Sequence, residues 1–402
     1  MRLLIVSPVL PYPPTWGFAT RVFHFVRLLA RHHAVTVVAY SEPGDTDAIE
    51  HLTALGAAVH AVPRTAGAGT KRLAQLSSLV SPRSYQWRAM YSPAMQRTLR
   101  EVMARERFDL IQIESSQLAV FEYDARAVLV VDEHNVEYEL LYRMFQTESS
   151  AVRRAYNWIE YQKFKREETR TWRRVSGCVT TSRREEEIVR RHAAATSVVT
   201  VPNAVDVEYF RPSDQPVDNN VVVMTGLMKY RPNVDAAQYF AGEILPRIRA
   251  VRPDVKFVVV GGEPADEVRR LAGSHVVVTG SVPDVRPYVD NAAVVVVPLR
   301  MGSGTRLKVL EGLSMAKPMV STSVGCEGID VADGEHLLIR DDAQTFAQGV
   351  LDLLQDCHLA LNLGAQGRQL VHRQYQWATV VEQLQGFYDG LKPGVDHESS
   401  RP

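Results

Sequence analysis

Twelve short apolar runs, rich in valine and isoleucine, recur along the chain. They lie at 3–7, 34–39, 59–62, 110–113, 128–131, 177–181, 197–201, 221–225, 255–260, 276–279, 293–297 and 319–321. Stretches with helical apolar spacing separate them. Strands this short and this uniformly apolar are buried on both faces, as parallel strands covered by helices are. Two such sets in series predict two doubly wound α/β domains. The 402 residues exceed one ordinary core and suit two domains of about 200 residues. By composition the boundary falls at 210–220, FRPSDQPVDNN, which has no apolar period and is rich in Pro, Asp and Asn. The polar tail 393–402 is expected to be disordered.

Several classes of protein are excluded early. Apolar content of 46% and charged content of 23% are those of a globular protein in water. No apolar run approaches the roughly 18 residues that span a bilayer. The opening MRLLIVSPVL runs into prolines and reads as a buried first strand, not a signal peptide. Cys178, Cys326 and Cys357 lack metal-ligand spacing, which suggests a reducing compartment and a cytoplasmic protein. The net charge is zero but unevenly placed: residues 1–203 hold 27 Lys+Arg and 21 Asp+Glu, the remainder 19 and 25. A basic first half favours an anionic surface or acceptor, and solvated helix faces are the plainer reading. No nucleic acid is expected as a partner.

Ligands of doubly wound sheets bind beyond the carboxyl ends of the strands, so the residues just past each run carry the chemistry. The richest such segment is 302–318, GSGTRLKVLEGLSMAKP, after the VVVVP run at 294–298. Gly302 and Gly304 bracket Ser303 and let backbone amides approach an anion. Thr305, Arg306 and Leu307 lead into a helix whose N-terminus adds partial positive charge. Arg306 and Lys308 place cations where a first turn usually holds acids. Glu311, one turn on, can accept hydrogen bonds from hydroxyls. Phosphate at the helix tip and a polyol by the carboxylate describe a nucleotide sugar; a βα turn with solvated Arg and Lys is the alternative.

Other strand exits add weaker signals. Gly17 opens a helix after the first strand. Asp132, Glu133, His134 and Asn135 crowd the exit of the strand at 128–131, where His134 can orient or protonate a substrate oxygen, or merely cap the next helix. Gly226 permits a tight turn, and Lys229 and Arg231 follow it before a helix. VVVGGEP at 258–264 contributes Gly262, and TGSVPDV at 279–285 offers backbone groups at Ser281 and Val282 that suit the edge of a nucleobase. No GxxxxGK[ST], GxGxxG or GxSxG motif is present. The one Asp-x-Asp, Asp45 to Asp47, reads as a solvated turn. No metal is therefore required, and Arg and Lys neutralise the diphosphate instead.

These residues resemble the retaining glycosyltransferases of family 4, the group 1 class with the GT-B fold. VPNAVDVEYFRP at 201–212 is similar to that family's hinge segment, with Asn203, Asp206, Phe210 and Pro212 in place. VLEGLSMAKPMVSTSVGCEGI at 309–329 is similar to its LEAMAxGxPVVAtxxGGxxE region. DEHNVEYE and GLMKYRPNVDAAQYF resemble a branch of exopolysaccharide and lipid-linked sugar assembly. The resemblance implies two Rossmann-like domains facing an interdomain cleft: 1–203 for the acceptor and 204–374 for the donor. A C-terminal helix at 375–391, around Tyr375 and Trp377, would cross back to the first domain, and an aromatic core anchor is the alternative reading of that segment. It implies that Glu311 holds a ribose, that Gly17 lies near the diphosphate and sugar, and that His134 contacts the donor sugar. The segment at Gly226 would hold the donor phosphates, and Val282 would read the base.

Two departures stand out. Ser303 occupies the place of the first Glu of the family's Glu-x7-Glu, and Pro232 stands where a Lys is usual; Lys229, Arg231, Arg306 and Lys308 are the available substitutes. The implied activity is metal-independent, retaining transfer of a sugar from a nucleotide-diphosphate sugar to an acceptor hydroxyl, with His134, Arg306 and Lys308 as catalytic residues. The acceptor would be a carbohydrate, a lipid-linked sugar or a small molecule, in polysaccharide or glycolipid assembly. A degenerate sugar-nucleotide-binding subunit, supported by Ser303, and a GT-B sugar-nucleotide epimerase are the alternatives. The helix at 153–174 carries Trp158, Tyr161, Phe164 and Trp172 among basic residues. It reads either as core or as a peripheral contact with the inner face of a membrane.

Overall fold

The computed structural model describes residues 1–64, 75, 77–302 and 306–391. Ser303, Gly304, Thr305 and the tail at 393–402 lie outside the described residues. The chain divides into two compact units, Met1–Pro202 with Val381–Pro402, and Asn203–Val380.

The first unit is built on seven parallel strands: β1 Arg2–Ser7, β2 Ala34–Ser41, β3 Ala58–Pro63, β4 Leu110–Ile113, β5 Val128–Glu133, β6 Gly177–Thr180 and β7 Ser197–Thr200. Their order across the sheet is β3-β2-β1-β4-β5-β6-β7. The order reverses between β1 and β4, where Leu3 pairs with Leu110 and Val6 with Ile113. The central strands are buried along nearly their whole length because helices cover both faces.

The second unit holds β8 Asp218–Thr225, β9 Lys256–Val260, β10 Val276–Val278, β11 Ala292–Val297, β12 Met319–Ser321 and β13 Leu338–Ile339. The order is β10-β9-β8-β11-β12-β13, with the reversal between β8 and β11. Each sheet therefore has one topological switch point, and the crevice beyond its strand ends is where such folds bind ligands. The first twelve strands fall on the twelve apolar runs. β13 has two residues, too few to leave a periodic signal, and is held through Val320 and Leu338 of the β12 pairing.

The compositional boundary at 210–220 needs correction. Its residues belong to the second unit, because Phe210 packs against that unit's core and its carbonyl accepts from Ser314 Oγ at 2.5 Å. The units divide instead at Pro202 and Asn203. Polar composition there marks an exposed surface segment, not a break between cores.

The last helix, Trp377–Gly390, passes from one unit into the other at Val381. Within the first unit Tyr388 donates its hydroxyl proton to Gln112 Oε1, and the Phe387 ring packs on Gly177. The helix Ala151–Trp172 is divided in character: Phe164 and Trp172 are fully buried, whereas Trp158 and Val152 are exposed.

Candidate functional site

At the switch point of the second unit, β8 ends in Thr225 and turns at Gly226, whose φ is 149°. Gly226 N donates to Val260 O at 3.0 Å. The exits of β8 and β9 touch backbone to backbone: a Cβ on Gly261 would lie 1.7 Å from Gly226 O. A Cβ on Gly226 would come within 2.6 Å of Lys308 Nζ and 2.8 Å of Asn233 Nδ2. Both neighbouring side chains are fixed. Lys308 Nζ donates to Asn233 Oδ1 at 2.8 Å, and Asn233 Nδ2 donates to Leu227 O at 3.0 Å. The turn thus presents a bare backbone with an ammonium group held beside it.

That ammonium arrives on the helix Leu307–Ser314, which follows β11 and has no acid in its first turn. Arg306 precedes the helix, is buried, and would meet a Cβ on Gly302 at 2.7 Å through Nη2. Leu307 packs its partly buried side chain on the core. Glu311 lies one turn beyond Lys308 on the same helix. Burial, reinforced by the nearby Arg306, pushes Lys308 down to about 8, while the Glu311 carboxylate opposes it. Burial also pushes Glu311 up to about 7, against the pull of Lys308. The charged forms of both residues would gain from a ligand that brings anionic oxygens to Lys308 and hydroxyl donors to Glu311.

The remaining residues read from sequence are arranged more loosely. Lys229 is exposed and pairs with Glu263 at 2.8 Å, and Arg231 is the exposed first residue of the helix Arg231–Tyr239. Gly262 lies next to Gly261, and its carbonyl accepts from Met228 N at 2.9 Å. Val282, in the loop after β10, packs half-buried against the core. Sequence reasoning missed Asn233 and Gly261.

A second constellation lies at the switch point of the first unit. The helix Gly17–Leu29 begins after Trp16 with no side-chain cap and no acid in its first turn. Phe18, next to Gly17, stacks on His134 with ring centroids 4.2 Å apart. His134 Nε2 is hydrogen-bonded to Glu114 Oε2 at 3.0 Å, and Glu114 Oε1 accepts from Gln112 Nε2 at 2.7 Å. Burial raises the Glu114 carboxyl above its ordinary value, and the bond to His134 opposes the rise. Arg21, fully buried on the same helix, grips Asp132 with Nε and Nη2 at 2.7 and 2.9 Å and donates to Pro202 O at 3.2 Å. His134 does not cap the following helix; Glu168 does, accepting from the backbone amides of Glu137 and Tyr138 at 2.9 Å each.

Among the described residues Glu114, Asp132 and His134 bring ligand atoms within 4.8 Å of one another, a spacing that suits a metal. Their oxygens already accept protein hydrogen bonds, those of Asp132 from Arg21 and those of Glu114 from Gln112 and His134.

Residues 17–204 match a family described as a glycosyl transferase 4-like domain, and residues 219–356 match glycosyl transferases group 1. One glycosyl transferase 4-like domain and one glycosyl transferases group 1 domain thus match the two units in turn. It is 27% identical over 225 residues to a phosphatidyl-myo-inositol mannosyltransferase of Mycolicibacterium smegmatis, covering 52% of this chain and 57% of that one. The chain thus spans a little over half the length of that relative. It is 22% identical over 370 residues, 87% of this chain and 90% of the other, to an uncharacterized 44.6 kDa protein in the cps region of Klebsiella pneumoniae. The solved structure of HepE of Anabaena in complex with UDP superimposes with a TM-score of 0.68 over 97% of this chain and 100% of that one, at 13% identity. The two sheets are the two Rossmann-like domains of the GT-B fold. Among the described residues no helix is long and apolar enough to cross a membrane.

Proposed function

We propose that this chain moves a sugar from a nucleotide-diphosphate sugar to an acceptor hydroxyl, with retention at the anomeric carbon and without a metal. The observation that carries the reading is the Lys308 ammonium held against the bare turn at Gly226, with Glu311 one turn away at the β8/β11 switch point. Lys308 and Arg306, with the amides of the turn, stabilise the charge that develops on the leaving diphosphate. Glu311 accepts hydrogen bonds from the ribose. The bond from the anomeric carbon to the phosphate oxygen breaks as the bond to the acceptor oxygen forms on the same face. The acceptor proton passes to a donor phosphate oxygen, so no enzyme nucleophile is needed. His134, held by Glu114 and Phe18, orients sugar hydroxyls. Gly17, Gly262, Val282 and the segment 302–305 complete the donor contacts in this proposal.

The name of the mycobacterial relative, the cps location of the Klebsiella relative and the UDP in the HepE structure support glycolipid or polysaccharide assembly from a nucleotide sugar. Work at the cytoplasmic face of a membrane is part of the proposal. Tyr142, Met144, Val152 and Trp158 are exposed on adjacent helices that also carry Arg143, Arg153 and Arg154.

The test is turnover of a nucleotide-sugar panel in the presence of a chelator, with product anomers assigned by NMR. Glu311→Ala and the pair Arg306→Ala with Lys308→Ala serve as controls. Activity undiminished in all of these would overturn the site; an inverted product or loss on chelation would overturn the stereochemistry or the metal independence. Pelleting with anionic vesicles tests the membrane contact, and absence of binding at low salt would remove it.

A further inference from the structure

We propose that the first unit carries a second ligand site, distinct from the switch point, that takes a saccharide bearing carboxylate or phosphate groups. The unit contains a cavity of about 970 Å³, at the upper end of the size range of small-molecule sites. It lies against the helix Tyr85–Met90, the 3₁₀ turn Ser116–Val120 and the C-terminal end of Ala151–Trp172. Ala127 and Leu129 line it at the start of β5, and Ser176 lines it just before β6. His134 follows the other end of β5, whose six residues span about 20 Å. The cavity is therefore at the N-terminal end of β5, and His134 is beyond its C-terminal end.

Four arginines line it: Arg83, Arg88, Arg170 and Arg174. Only two carboxylates do so, and both are engaged. Asp124 is held by Arg126 at 2.8 Å, and Glu167 accepts from Ser84 N at 3.1 Å and from its hydroxyl at 2.5 Å. Burial raises Glu167 above its ordinary value, and the hydrogen bonds from Ser84 oppose the rise. Arg83 lies over the Trp87 ring and 4.0 Å from Glu167, and Arg88 donates to Ser77 Oγ. Arg170 and Arg174 are exposed and form no ion pair among the described residues. Guanidinium groups grip carboxylate and phosphate in a bidentate manner.

Aromatic rings share the lining with small and aliphatic side chains. Trp87 and Phe121 are buried, and exposed Tyr91 stacks on Phe121 with centroids 5.7 Å apart. Flat apolar rings beside cationic forks suit a sugar ring, whose C–H face packs on an aromatic surface while its anionic substituent meets arginine. Concavity favours a discrete ligand over a planar bilayer. The choice of a saccharide rests on the glycosyltransferase reading; the anion preference rests on the arginines alone.

Calorimetric titration of the full chain tests this, with oligogalacturonate, mannose 6-phosphate, maltotriose, inorganic phosphate and phosphatidylglycerol vesicles as probes. Binding of the uronate or the sugar phosphate, but not maltotriose, is expected. Arg170→Ala with Arg174→Ala, both exposed, should weaken it about tenfold, and Tyr91→Ala should weaken it while inorganic phosphate is little affected. Nucleotide binding at Lys308 should be unchanged in these variants. Equal binding of maltotriose, affinity indifferent to the arginine pair, or arginine-dependent binding to vesicles alone would overturn the proposal. A chain that binds the anionic saccharide but no nucleotide would overturn the donor reading and leave this site standing.

Discussion

Lys308 Nζ lies 2.8 Å from Asn233 Oδ1, a partner 75 positions away in sequence, over a turn that has no room for a side chain at Gly226. The contact joins the helix after β11 to the helix after β8, and the ion pair of Arg300 with Asp235 at 2.6 Å fastens the same two walls of the switch point.

Gly226→Ala tests that crowding directly. The φ of 149° and the 2.6 Å approach of Lys308 oppose a methyl group from two sides. A destabilisation of about 1–3 kcal/mol is expected in urea melts. Nucleoside-diphosphate affinity should fall further than stability does, because Lys308 must move.

Proton linkage reports the same site. A bound diphosphate favours the Lys308 ammonium, whose value lies at about 8, so binding near pH 8 should take up about half a proton. Ribose hydroxyls favour the Glu311 carboxylate, whose value lies at about 7, so binding near pH 6 should release protons. Calorimetry in buffers of different ionisation heat measures both signs. Lys308→Met should abolish the uptake and leave the release.

In the first unit, the fully buried pair of Arg21 and Asp132 makes a different expectation. Asp132→Asn leaves a buried guanidinium without its counter-charge and should cost about 3–5 kcal/mol. The paired change Arg21→Met with Asp132→Leu should cost much less. Chemical denaturation of the three variants checks the order.

Glu133 sets a pH slope. Its carboxyl is raised to about 8 by burial, although Trp172 Nε1 donates to it at 2.7 Å. The unfolded chain loses this proton near pH 4.5 and the folded chain near pH 8, so stability falls as pH rises between the two. Glu133→Gln keeps an acceptor for Trp172 and has no proton to lose. Its denaturation midpoint should change less between pH 5 and pH 8 than that of the parent.

Much of this architecture was legible in the chain because fully buried parallel strands leave unbroken apolar runs. Strand order was not, since nothing local in the run at 110–113 says that it pairs with the run at 3–7. The site divides the same way. Lys308, Glu311 and Gly226 were visible because a strand, a glycine and a helix follow one another in sequence. Asn233 was not, because its role is created by the neighbour that the fold brings to it. Of the two glycines at 261 and 262, either satisfies a sequence reading. Only the approach of Gly226 O shows that Gly261 is the one with no space to spare. The aromatic helix Ala151–Trp172 resisted a single reading because one end is core and the other is exposed.

The return of the last helix to the first unit has a consequence for biosynthesis. Tyr388 reaches Gln112 across 276 positions, so the domain that leaves the ribosome first is completed last. Its closing helix must wait while Asn203–Val380 is translated, roughly 10 to 40 s at bacterial and eukaryotic rates. The nascent chain therefore holds a first domain whose strands are all synthesised but whose closing helix arrives only after the second unit.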